Sequence, residues 1–123
     1  MLSKKILIID NDERIQFAFH SILQKEGYES IQAMNGSAAL KLLAENKFWG
    51  IFLEIDLPGT DGLKILELIN NLGQHLPVVI ITGLGTPRKI RKAMELGAIE
   101  FLEKPFSLAS IREVLQKIKL HNN

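Results

Sequence analysis

Three short runs of apolar residues constrain the fold of this chain more than any other feature. They are ILII at 6–9, IFL at 51–53 and VVII at 78–81, and β-branched residues dominate them. The runs are continuous rather than alternating, which is typical of strands that are buried on both faces of a parallel sheet. Two weaker candidates, at 28–33 and 99–102, complete a set of five predicted strands.

Between these runs, apolar residues recur at the spacing of amphipathic helices. The first helix is predicted to begin after Asp12, which has the side chain of an N-cap, and to end near Gly27. Further helices are predicted at 37–46, around 63–69, around 90–94 and after the N-cap Ser107.

Strands and helices therefore alternate along the whole chain. Alternation with short connections predicts an open, doubly wound α/β sheet with right-handed crossovers, flanked by two helices on one face and three on the other. The length of 123 residues predicts a single domain covering 1–123.

Composition narrows the classes of function. The formal net charge is +1, which favours neither a nucleic acid nor a membrane as a direct partner. The absence of cysteine excludes disulfides and thiolate metal sites. The apolar run near the N-terminus is too short for a signal peptide or a membrane span, so we expect a cytoplasmic protein.

Polar side chains follow the predicted strands at the points where ligands bind to such sheets, outside the carboxyl ends. Acids follow the first and third strands, a hydroxyl follows the fourth and a lysine follows the fifth. Acids suit a hard divalent cation, and the lysine and hydroxyl suit a phosphoryl oxygen. Each residue alone has a simpler explanation, such as helix capping by an aspartate. The candidates are Asp10, Asn11, Asp12, Glu54, Asp56, Thr82 and Lys104.

The motifs ILIIDND, LPGTDG, PVVIITG and AMELGAIEFLEKPF resemble the receiver domains of two-component response regulators along nearly the whole chain. The resemblance implies a flavodoxin-like fold with strand order 2-1-3-4-5. It also implies Mg²⁺-dependent transfer of a phosphoryl group from a histidine kinase to an aspartate at the end of the third strand.

The resemblance assigns a role to each matching position. The metal site would comprise the Asp10–Asn11 pair, the acceptor position and the backbone carbonyl at Asp56. Glu54 occupies the phosphoacceptor position. The remaining assignments are Thr82 as switch hydroxyl, Phe101 as aromatic switch residue, and Lys104 as the site lysine, joined to Pro105 by a cis peptide bond.

Two departures from the family pattern fall inside this site. Glu54 replaces an aspartate, and its extra methylene moves the carboxylate by about 1.5 Å. Asn11 replaces an acid, so we expect Mg²⁺ to bind weakly or not at all. Both changes act against phosphorylation, whereas the longer acid can reach toward Lys104 and Thr82 and imitate a phosphorylated aspartate.

Three hypotheses follow for the function. The favoured one is a signalling module that works by protein contact rather than as an enzyme. The second is a slow phosphoacceptor that uses Glu54 or Asp56, and the third is an inert structural or dimerisation domain with a decayed site. Glu54 is either natural or an introduced mimic, and Asn11 counts against the latter.

The resemblance also implies the partners. They are a sensor histidine kinase or phosphotransfer protein, and an output domain or protein, or a second copy of the chain, that binds the face made by the fourth helix, fifth strand and fifth helix. The basic residues of PRKIRKAMELG lie on that fourth helix, where a solvated face is the simpler interpretation.

Overall fold

The computed structural model describes residues 4–83 and 87–122, and strands and helices alternate along them. The strands are β1 (Lys5–Ile9), β2 (Glu29–Ala33), β3 (Gly50–Glu54), β4 (Val78–Thr82) and β5 (Glu100–Glu103). The helices are α1 (Glu13–Lys25), α2 (Gly36–Glu45), α3 (Gly62–Asn71), α4 (Pro87–Glu95) and α5 (Leu108–His121).

The strands form one parallel sheet with the order β2-β1-β3-β4-β5. This confirms the predicted fold class and strand order. β3 lies at the centre, and all five of its residues are buried. The carboxyl ends of β1, β3, β4 and β5 therefore meet along one edge of the sheet.

Side-chain alternation along the strands builds two separate hydrophobic cores. On β1, Leu7 and Ile9 face a core shared with α2, α3 and α4, whereas Ile6 and Ile8 face a core shared with α1 and α5. The predicted division into three helices and two helices is confirmed.

Helix boundaries agree with the sequence signals. The side chain of Asp12 accepts a hydrogen bond from the Arg14 N–H at the start of α1, and the side chain of Ser107 does the same for Ser110 at the start of α5. Both predicted N-caps are confirmed. Within the described residues, no helix has the length and apolar character needed to cross a membrane.

A tight loop between β3 and α3 lies next to the carboxyl edge of the sheet. Gly59 has a φ of 71°, in the left-handed region that glycine adopts without steric cost. Gly62 approaches the preceding backbone so closely that a Cβ atom there would lie 2.4 Å from the Ile55 carbonyl oxygen. The LPGTDG motif thus fixes the path of the chain immediately after Glu54.

Candidate functional site

Four strand ends bring the candidate residues to one edge of the sheet. Glu54 and Thr82 are the last residues of β3 and β4, and Asp10 and Lys104 come directly after β1 and β5. Asp10 and Thr82 are fully buried, and Glu54 is 6% exposed. Buried polar groups of this kind need partners, because their desolvation is otherwise costly.

Lys104 joins the two buried acids. Its Nζ atom lies 2.9 Å from Glu54 Oε1, where it donates a hydrogen bond, and 2.9 Å from Asp10 Oδ2 as an ion pair. The lysine side chain is 20% exposed, so this contact is largely shielded from solvent. Two carboxylates from β1 and β3 thus share one ammonium group from the end of β5.

The backbone positions Lys104 for these contacts. Its N–H donates to the carbonyl oxygen of Thr82 at 2.7 Å, which joins the end of β5 to the end of β4. The aliphatic stem passes Gly83, where an added Cβ would lie 3.8 Å from Lys104 Cδ. The peptide bond to Pro105 is cis, as the resemblance implies.

The electrostatic environment keeps Lys104 charged. Burial alone disfavours the ammonium, but the hydrogen bonds and charges of Asp10 and Glu54 outweigh it and raise the Lys104 pKa above 10.5. The lysine is therefore cationic throughout the neutral pH range.

Asp10 is held from its other side by the start of α1. Its Oδ1 accepts a hydrogen bond from the Asp12 N–H at 3.0 Å. Below it, Gln16 Nε2 donates to the carbonyl oxygens of Ile8, Asp10 and Ala33 at 2.9, 3.0 and 3.3 Å. Gln16 thus joins α1 to the carboxyl ends of β1 and β2.

Gln16 was not among the residues identified from the sequence. It lies three residues before Phe19 and seven before Leu23, on the buried stripe of α1. A polar residue at an apolar position of a helical pattern is the signal that identifies it, because such a side chain needs an internal partner.

Apart from Asp10 Oδ2, whose contact is the ion pair with Lys104, two buried polar atoms of the four strand-end residues have no hydrogen-bond partner among the described residues. They are Glu54 Oε2 and Thr82 Oγ1, an acceptor and a hydroxyl that can donate. Glu54 is therefore hydrogen-bonded to Lys104, whereas no hydrogen bond joins Glu54 to Thr82 among the described residues.

The other candidates are directed elsewhere. Asn11 is exposed, and Asp12 caps α1 and pairs with Arg14 at 3.3 Å. Asp56 Oδ1 lies 2.7 Å from the Nζ atom of Lys89 on α4, and this pairing raises the Lys89 pKa. Phe101 is partly buried against the core beneath α2, α3 and α4.

These residues fit a Mg²⁺ ion poorly. Mg²⁺ requires oxygen ligands in near-octahedral geometry. Here the Lys104 ammonium already contacts both buried carboxylates, and Asn11 offers only a neutral amide. Among the described residues, no three acidic or histidine side chains are grouped so that they could hold a metal ion. Weak Mg²⁺ binding stays a prediction that only a titration can test.

Comparison with known proteins gives the chain its family. The response regulator receiver domain family matches residues 6–116. The chain belongs to this family.

Two relatives of this receiver domain differ in how much of their own length it covers. Sporulation initiation phosphotransferase F of Bacillus subtilis is 33% identical over 117 residues, covering 95% of this chain and 94% of that protein. An NtrX-like response regulator of Rickettsia bellii is 40% identical over 104 residues, covering 83% of this chain but only 22% of that protein. The receiver domain therefore corresponds to nearly all of the first relative and to a minor part of the second.

Solved structures match the receiver domain over almost its full length. A two-component response regulator from Clostridium difficile is 30% identical, with a TM-score of 0.92 and coverage of 98% of this chain and 99% of the other. The receiver domain of NtrX from Brucella abortus is 33% identical, with a TM-score of 0.86 and coverage of 92% and 96%.

Proposed function

We propose that this receiver domain acts by protein–protein contact, with Glu54 standing permanently in the place of a phosphorylated aspartate. The observation that carries the proposal is the 2.9 Å contact between Glu54 Oε1 and Lys104 Nζ. The acid at the phosphoacceptor position already holds the site lysine in the unmodified chain. A glutamate supplies one negative charge there, whereas a phosphoryl group brings about two.

The same contact argues against efficient phosphoryl transfer. An attacking carboxylate oxygen has to align with the phosphorus, and a misplacement of about 1 Å costs on the order of 100-fold in rate. Glu54 extends its carboxylate by about 1.5 Å relative to aspartate. One oxygen is engaged by Lys104, and the other, Oε2, is buried. The reacting geometry of a receiver is therefore altered at the nucleophile itself.

Glu54 at the phosphoacceptor position imitates only part of a phosphorylated site. Thr82 Oγ1 makes no hydrogen bond to another described residue, so the hydroxyl that the resemblance assigns to switching is not engaged by Glu54. We infer that partner binding, rather than Glu54 alone, draws Thr82 into contact.

The proposed partners are those of a cytoplasmic signalling pathway. A sensor histidine kinase or phosphotransfer protein would act upstream, and an output domain or protein, or a second copy of the chain, would bind the face formed by α4, β5 and α5. Direct binding of nucleic acid or membrane is not part of the proposal.

A phosphoacceptor role is the second candidate, because one relative that spans nearly the same length is named a phosphotransferase. Under this alternative, Glu54 or Asp56 would accept the phosphoryl group slowly. The Asp56 carboxylate, however, is paired with Lys89 at 2.7 Å, directed toward α4 rather than toward Lys104. Contact signalling remains the better supported function.

Incubation with acetyl phosphate and Mg²⁺, followed by intact mass spectrometry, distinguishes contact signalling from a phosphoacceptor role. The unmodified chain is expected to show no phosphoryl adduct. Glu54→Asp should acquire an adduct that hydroxylamine removes, and Glu54→Asp combined with Asn11→Asp should acquire more, because the second change restores charge for the metal.

Matched controls identify the labelled residue. Glu54→Gln and Asp56→Asn each remove one candidate acceptor with little change in size. An adduct on the unmodified chain that Glu54→Gln abolishes would refute the proposal, and one that only Asp56→Asn abolishes would establish Asp56 as the acceptor. Failure of the Glu54→Asp, Asn11→Asp variant to label would favour a decayed site.

A further inference from the structure

A groove of about 810 Å³ lies between α3 and α4, on the face of the sheet that carries three helices. Most of its lining residues are basic. A leucine side chain lines the α3 side, and the α4 side carries four cations and one acid. The lining residues are Leu63 of α3 and Arg88, Lys89, Arg91, Lys92 and Glu95 of α4.

The basic residues form a stripe rather than a scattered set. Arg88, Arg91 and Lys92 follow the i, i+3, i+4 spacing that places side chains on one helical face, and all three are exposed. Ala93 of the same helix is buried against the sheet. The chain as a whole is nearly balanced, with 15 basic and 14 acidic residues. The positive charge is thus concentrated locally.

Among the described residues, the three cations of this stripe are not held in ion pairs, although Glu95 lines the same groove. Within residues 4–83 and 87–122, the ion pairs include none formed by Arg88, Arg91 or Lys92. Neighbouring Lys89 differs, since it pairs with Asp56. Three cations therefore face solvent beside an apolar wall, and the fourth connects the groove to the loop that follows Glu54.

We propose that the α3–α4 groove docks an acidic helical segment of a partner protein. Carboxylates spaced three or four residues apart would meet the stripe, and an apolar side chain would pack on Leu63. The surface goes beyond the proposed function, because it does not depend on what Glu54 does.

The dimensions of the stripe favour a protein segment over a nucleic acid. Arg88 to Lys92 spans about 6 Å along the helix axis, which matches two or three carboxylates at i, i+3 and i+4 of a partner helix. A protein that neutralises about 6–10 phosphates needs a much longer basic surface. Glu95 lines the same groove, and Asp56 and Asp61 lie beside Lys89. These carboxylates would repel any anionic ligand, a peptide carboxylate as well as a phosphate, so the short span of the stripe is what favours a protein segment.

Fluorescence anisotropy at low ionic strength tests the proposal. The probe is a labelled helical peptide with glutamates at i, i+3 and i+4 around one leucine. Arg91→Glu with Lys92→Glu should weaken binding of this peptide about tenfold or more. The matched control, Lys41→Glu with Lys47→Glu, makes the same change in net charge at exposed positions outside the groove and should weaken binding less than about threefold.

Two further ligands serve as controls in the anisotropy experiment. The same peptide with glutamine in place of glutamate should bind far more weakly, and a single-stranded oligonucleotide of equal charge should bind more weakly than the acidic peptide. Equal losses in the two double variants, or tighter binding of the oligonucleotide, would overturn the proposal. Circular dichroism confirms that each variant is folded, and none of these results depends on phosphorylation.

The Asp56–Lys89 pair supplies a second, independent arm. If the acidic segment recruits Lys89, it competes with Asp56, so Asp56→Asn should tighten peptide binding about threefold. Asp61→Asn is the control, because it removes the same charge near Lys89 while asparagine still caps α3. Equal effects of Asp56→Asn and Asp61→Asn on peptide affinity would show that Lys89 does not take part in docking.

Discussion

At the scale of single residues, Lys104 is the group on which the candidate site depends. It neutralises charge from two buried carboxylates that would otherwise repel each other at the same sheet edge. Removing one partner of a buried ionic cluster leaves charge without compensation, which costs more than the intact contact contributes. We therefore expect the lysine to stabilise the fold whether or not the site retains chemistry.

We predict that Lys104→Met lowers the free energy of unfolding by about 3 kcal/mol at neutral pH. The raised pKa of Lys104 means that its contribution is fully present below about pH 10.5 and is lost as the pH rises through the folded-state value. The difference between the two proteins should therefore shrink in strongly alkaline buffer. Urea unfolding across this range measures it, and Lys41→Met, at an exposed position, should change stability by less than about 0.5 kcal/mol.

Asn11 supports a second prediction at this scale. Asn11→Asp should bind Mg²⁺ about tenfold more tightly than the unmodified chain, because a carboxylate replaces a neutral amide beside Asp10. Isothermal calorimetry is the appropriate measurement. Trp49 is unsuitable as a fluorescent reporter, since it precedes β3 and lies at the opposite end of the strand from Glu54.

The control for the Mg²⁺ titration is Asn71→Asp. It adds the same charge at the exposed C-terminal end of α3. Equal affinities for Asn11→Asp and the unmodified chain would show that the residue does not limit metal binding.

At the scale of elements, one buried amide adds to the apolar packing that positions α1. Gln16 donates to carbonyl oxygens at the ends of β1 and β2, so it sets the position of Asp10 relative to the sheet. We predict that Gln16→Ala lowers the free energy of unfolding by about 1–3 kcal/mol, since buried hydrogen bonds are lost. Gln24→Ala, at an exposed position of the same helix, should have a much smaller effect in the same urea titration.

The agreement between predicted and observed strand bounds has a physical explanation. All five strands were predictable to within one residue, and the central ones gave the clearest signal because burial on both faces demands continuous apolar runs. β2 and β5 lie at the sheet edges and contain polar residues, so their patterns are weaker. The sequence indicated that the longer acid can reach toward Lys104, and the structure places Glu54 Oε1 2.9 Å from Lys104 Nζ. Gln16 and the Asp56–Lys89 pair depend on contacts between distant segments, which periodicity does not encode.

At the scale of the whole molecule, we expect two paired groups with shifted pKa values to shape the pH range of stability. The hydrogen bond from Lys117 lowers the Glu100 pKa below 4.5, and Lys104 has a raised pKa. Glu100 therefore contributes above about pH 4.5 and loses its contribution as the pH falls, whereas Lys104 loses its contribution at alkaline pH. The two effects act at opposite ends of the range.

We predict a plateau of stability from about pH 5 to about pH 10, measured as the free energy of unfolding in urea. Glu100→Gln should make the decline at acidic pH less steep. Glu45→Gln, at an exposed position without an ion pair among the described residues, should leave the acidic limb unchanged. An identical acidic limb in all three proteins would contradict the role given to Glu100.

The Glu54–Lys104 contact also has a consequence for the lifetime of the signal. An aspartyl phosphate is made and hydrolysed, so the protein that carries it holds a signal for a limited lifetime. A contact between two side chains of the unmodified chain has no bond to hydrolyse and cannot be erased by a phosphatase. Under the proposed function, the duration of the signal would be governed by synthesis and degradation of the protein, and its strength by the number of copies in the cell.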